Sequence, residues 1–94
     1  MPHFKVAHVR EQGVDVVIVP LESSFGHKMT QDQNAIRADL QRHSESAGLA
    51  GGVVPVWDAG GGRMGFLAPH NQQSFFKSIN LHWVARNING ELSW

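Results

Sequence analysis

The sequence predicts an α+β domain: a two-layer ββαββα sandwich whose four-stranded mixed sheet carries two helices on one face. Three observations carry that reading. Apolar and β-branched runs come in two pairs, and each pair is followed by a stretch with helical spacing. Residues 14–21 (VDVVIVPL) are nearly continuous in apolar residues, as in a strand covered on both faces. The helix between the second and third strands has the length of a crossover, so those two strands are expected to run parallel. At 94 residues the chain is read as one domain, 1–94.

The elements follow in order. Residues 3–10 (HFKVAHVR) alternate, with Phe4, Val6 and His8 on one face and Lys5, Ala7 and Val9 on the other. Gly13 turns the chain into the second strand, where Pro20 marks an end because it cannot donate a ladder hydrogen bond. Residues 22–29 (ESSFGHKM) form a loop. Thr30 with Gln33 fits a capping box, and a helix should span about 31–47. Ile36, Leu40, His43 and Ala47 lie on its narrow stripe, and Gly48 stops it. Residues 51–59 give a third strand, the glycines at 60–62 a turn, and residues 63–69 a fourth strand. Phe76, Ile79, Trp83, Val84 and Ile88 place one further helix within 71–89.

Composition excludes several functions. Lys plus Arg and Asp plus Glu are both eight, and the basic residues are scattered, so no nucleic-acid partner is expected. No cysteine is present, which removes disulfides, thiolate zinc sites and a cysteine nucleophile. The longest apolar run is too short for a bilayer, and residues 1–12 lack the apolar core of a secretory signal. A soluble, cytoplasmic chain with no membrane partner is expected. The six histidines lack the spacing of a metal site, and no metal or cofactor is predicted.

One stretch imitates a motif. GGGRMG, residues 60–65, fits the G-x-G-x-x-G spacing of nucleotide-binding loops. A dinucleotide fingerprint needs a helix opening from its last glycine, yet FLAP follows, strand-like and ending in proline. A Walker A loop needs Lys and Ser or Thr at its end, and residue 66 is phenylalanine. The stretch mimics the glycine hairpin of a protein kinase, but the chain carries no HRD or DFG. It reads as a hairpin tip, rich in glycine because its turn needs positive φ.

Geometry supplies the candidate site. Parallel second and third strands would bring loop 22–28 beside loop 58–63, at the edge where sheets with parallel strands bind ligands. Ser23, Ser24, His27, Lys28, Trp57, Asp58 and Arg63 would converge there. Lys28, Arg63 and the free amides at the start of the first helix would suit a small anion, with Trp57 as a stacking wall. The bland alternative is a surface pair of Asp58 and Arg63 beside the turn. A Ser24–His27–Asp58 trio can be drawn, but G-x-S-x-G is absent, and a binding role is favoured over catalysis. Trp83, Arg86 and Trp94 either pack internally or form a partner surface. Two short helices on one face leave Val17, Val19, Trp57 and Phe66 more apolar area than they cover. A homodimer through the second face or an edge strand is therefore expected. The sequence thus describes a small interaction or ligand-binding module, with a small enzyme or anion-binding protein as its alternative.

Overall fold

The β-branched runs build a five-stranded mixed sheet at the centre of the chain. The structure is a computed structural model that describes residues 3–11 and 13–93. In chain order the elements are β1 (His3–Glu11), β2 (Val14–Pro20), a 3₁₀ turn (Ser23–His27), α1 (Thr30–Ser46), β3 (Gly52–Gly60), β4 (Arg63–Phe66), a second 3₁₀ turn (His70–Gln72), α2 (Gln73–Ser78), α3 (Leu81–Arg86) and β5 (Gly90–Ser93). The sheet order is β4-β3-β2-β1-β5. As expected from the crossover helix, β2 and β3 are parallel, with Val17 beside Val53 and Pro20 beside Val56. The other three pairings are antiparallel.

Four features depart from the sequence reading. The sheet has a fifth strand, because β5 pairs with the start of β1 through Phe4 and Leu92. Its four residues hold one apolar side chain, too little alternation to announce a strand. The single helix expected within 71–89 is two helices. Ile79 is extended, and Asn80 accepts a hydrogen bond from the Trp83 amide at 2.8 Å, so a cap restarts the helix where periodicity alone would continue it. The capping box at Thr30 does not form. Met29 is the N-cap residue without a side-chain bond, and Gln33 instead donates to the Phe25 carbonyl at 2.9 Å.

The fourth departure changes the architecture. The helices lie on opposite faces of the sheet, giving three layers. Leu40 of α1 packs with Val6, Val17, Val19, Val53 and Leu92. Phe76 of α2 and Val84 of α3 pack on the other face, with Ala7, Val16, Ile18, Val54 and Val56. The even apolar content of β2 demanded this, since Val16 to Val19 alternate between the two faces and all four are buried. Covering both faces leaves no bare sheet face for the face-to-face dimer that the apolar excess suggested.

The ends of α1 set the frame for the site. Gly48 has φ +81°, and the Leu49 amide returns to the Ser44 carbonyl at 3.1 Å, so the helix stops where expected. One turn apart on α1, Arg37 Nε donates to the Val53 carbonyl at 3.0 Å, while Gln41 Oε1 accepts from the Val53 amide at 2.7 Å. Gln41 Nε2 also donates to the Gly51 carbonyl at 3.2 Å. These bonds lay α1 along β3 and leave the start of the helix beside the Ser23–His27 turn.

Candidate functional site

Parallel pairing of β2 and β3 puts their C-terminal ends side by side, and the Leu21 amide extends the zipper to the Val56 carbonyl at 2.7 Å. The chain then folds over the end of β3 as the Ser23–His27 turn. Phe25 anchors that turn at 3 % exposure. Its backbone amide donates to the Glu22 carbonyl, and its own carbonyl accepts from the Lys28 amide and from Gln33 Nε2. Its ring meets Trp57 with centroids 5.0 Å apart and planes tilted by 56°.

Trp57 is the centre of this end of the molecule. It stands opposite Gly65 in the β3–β4 pairing. A Cβ on Gly65 would lie 2.3 Å from Trp57 Cε2, and one on Gly26 would lie 2.4 Å from Trp57 Nε1. Neither glycine has positive φ, so the backbone conformation does not call for glycine at either position. The indole calls for it, since it fills the space where both side chains would stand. Gly26 comes from the Ser23–His27 turn and Gly65 from β4, so one side chain ties that turn to the β3–β4 hairpin.

This resolves the glycine-rich stretch. Gly60, Gly61 and Gly62 have φ of +93°, +61° and +78°, as the hairpin tip requires. Gly65, the last glycine of the apparent motif, serves as the seat for Trp57. Asp58 Oδ1 accepts the Gly60 amide at 2.8 Å across the bulge where the β3–β4 register shifts.

Between the turn and the hairpin lies a cleft of about 360 Å³, lined by Ser23, Gly26, His27, Trp57, Asp58, Ala59 and Gly60. Four of the seven residues expected at the site therefore share one cleft: Ser23, His27, Trp57 and Asp58. Ser24 and Lys28 line a separate depression of about 410 Å³ with His3, Phe4, Leu21 and Ile36. Arg63 lies opposite Gly60 in β4, exposed and outside both. The first turn of α1 does not line the cleft either. The features that suited an anion thus stand apart from the cleft, while a carboxylate stands in it. The Ser24–His27–Asp58 trio is divided in the same way: His27 and Asp58 line the cleft, and Ser24 lines the separate depression.

Trp83 is half-buried and packs edge-on against Phe75, at 5.7 Å and 84°, as part of the α2–α3 side of the core. Arg86 is exposed in the last turn of α3, and Trp94 lies outside the described residues. Among the described residues no three His, Cys, Asp or Glu side chains gather as a metal site, and no helix is long and apolar enough to cross a membrane.

Sequence reasoning missed Gly26, Gly65, Phe25 and Gln33 as parts of this site. The Gly65 signal was present: an isolated glycine inside a strand pattern marks a close approach of something bulky. Gly26 carried no such signal, because glycine in a loop is ordinary. No protein-family model matches the chain, and neither a curated protein nor a solved structure matches it.

Proposed function

We propose that this chain is a small ligand-binding module whose cleft takes a compact cationic group, an alkylammonium or a guanidinium. The observation that carries the proposal is the sign of the charge in the cleft. Asp58 is its one lining residue with a fixed charge, and the cations of the two loops, Lys28 and Arg63, lie elsewhere. Asp58 belongs to none of the ion pairs among the described residues. Its Oδ1 is oriented by the Gly60 amide, which leaves the other oxygen for a ligand. The indole beside it adds an aromatic surface that attracts cations by about 0.5–1 kcal/mol at exposed sites. Ser23 and His27 supply further hydrogen-bonding groups on the facing wall. Separation of Ser24 from His27 and Asp58 supports binding over nucleophilic catalysis.

A thermal-shift panel tests this reading. Methylammonium, guanidinium and putrescine are set against phosphate and acetate at matched ionic strength. The cations are expected to stabilise the fold, by about 2.7 kcal/mol at a hundredfold excess over Kd. Stabilisation by phosphate alone would restore the anion expected from the sequence. No response to any probe would remove the cleft as a small-molecule site.

A further inference from the structure

We infer that the cleft between the first residues of β2 and the α2 segment is a binding site for a neutral polyhydroxylated ring, a monosaccharide. It lies at the opposite end of β2 from the Asp58 cleft. Val14 and Val16 open the strand, whereas Pro20 at its far end stands beside Val56. The cleft measures about 390 Å³, toward the small end of the roughly 300–1,000 Å³ found for ligand clefts.

Two walls of different chemistry enclose it. On the sheet side Glu11 ends β1 and stands opposite Val14, so Glu11, Val14 and Val16 share one face. That face carries α2, because Val16 packs with Phe76. On the helix side, Asn71 and Gln72 of the second 3₁₀ turn join Ser74, Phe75 and Ser78 of α2. Ser74 and Ser78 are one turn apart and exposed, while Phe76 is buried in the core. Phe75 is held edge-on by Phe76 and Trp83, with ring centroids 5.1 and 5.7 Å away. Val14 is 46 % exposed, so the cleft keeps apolar surface open to a ligand.

The polar groups select the occupant. Ser78 Oγ donates to the Phe75 carbonyl at 2.6 Å, which leaves its lone pairs to accept. The side chains of Glu11, Asn71, Gln72 and Ser74 make no hydrogen bond or ion pair among the described residues. By contrast, Gln33, Gln41, Asn80, Asn87 and Asn89 all spend their side-chain amides on backbone groups. Glu11 is the one charged residue lining the cleft, and its carboxylate opposes an anion. An ammonium group would suit Glu11 but would leave the two amide NH₂ groups facing another donor. Hydroxyl groups both donate and accept. A ring carrying several of them can satisfy the carboxylate, the amides and the serines together, while its C–H face rests on Val14, Val16 and Phe75.

The test titrates D-glucose, D-mannose and D-ribose into wild type, Glu11→Gln and N71A/Q72A, followed through the Val14 methyl resonances. Methylammonium and phosphate serve as comparison probes. At least one sugar should give a saturable shift in the millimolar range, and neither comparison probe should. Glu11→Gln keeps an acceptor oxygen and loses the charge, so binding should weaken about tenfold, the scale of a hydrogen bond to a charged group. N71A/Q72A truncates side chains that hold nothing else in the fold, and it too should weaken binding about tenfold. No response to any sugar, saturation of Val14 by methylammonium or phosphate, or unchanged sugar affinity in either variant would overturn the inference.

Discussion

The two ends of β3 are finished in opposite ways. At its C-terminal end the strand is paired with β4, and Trp57 rests over Gly65 and Gly26, yet the residues beyond it line an open cleft. At its N-terminal end β4 is absent, and the edge is shut by Arg37 and Gln41. One end is paired with β4, with a bulge between Asp58 and Gly60, and leaves side chains available. The other lacks a pairing strand and uses side chains to hide that lack. The difference teaches that the same strand leaves side chains open at one end and spends side chains on its own backbone groups at the other.

The largest way to break this comparison is at the Trp57 seat. Gly65→Ala should cost about 1–3 kcal/mol, because the new Cβ cannot coexist with the indole where it stands. Trp57→Ala should cost about 2 kcal/mol, below the range for a fully buried aromatic because Trp57 is only partly buried. In the Trp57→Ala background the Gly65→Ala cost should fall below about 0.5 kcal/mol, a coupling that denaturant unfolding of the four proteins measures. Additive costs would show that Gly65 is glycine for some reason other than the indole. The closed end is broken by Gln41→Ala, in which the Val53 amide loses its acceptor and should exchange about tenfold faster when followed by hydrogen exchange.

A smaller effect separates the two helix starts. Asn80→Ala removes a side-chain cap and should cost about 1 kcal/mol. Thr30→Ala removes a hydroxyl that makes no cap bond and should stay within about 0.5 kcal/mol. Thermal unfolding of the two variants checks the contrast. Equal losses would mean that the Thr30 box forms in solution.

Much of the frame was legible in the sequence because it rests on strong local signals. The β-branched run at 14–21, a helix-length stretch ending at Gly48, and a second β-branched run fix the parallel pair, and with it the edge where two loops meet. The hairpin tip was legible from three consecutive glycines. What escaped was decided by competition or by tertiary reach. Asn80 competes with helical periodicity and wins by capping α3. Gln33 gives up a local box for the Phe25 carbonyl, a partner eight residues back. Strand β5 forms because β1 offers Phe4 to its single buried Leu92, which a four-residue window cannot reveal. The placing of both helices on one face failed for a different reason. The two-sided burial of 14–21 already required cover on each face, and that demand was assigned to a second copy instead of to α1. Lys28 was expected beside His27 on sequence proximity, yet it lies just past the 3₁₀ turn in extended backbone, where neighbouring side chains point to opposite sides.

The central claim is that Asp58, presented beside a fixed Trp57, gives the cleft its preference for a cationic group. The most direct measurement follows the Trp57 indole N–H resonance, assigned through Trp57→Phe, while methylguanidinium is titrated into wild type and Asp58→Asn. Asparagine keeps an oxygen for the Gly60 amide, so the hairpin tip is retained and the charge alone is lost. The account predicts a saturable shift of the Trp57 resonance in wild type and about tenfold weaker binding in the variant, the scale of one hydrogen bond to a charged group. An equal affinity in both proteins, or a response confined to Trp83, would contradict it.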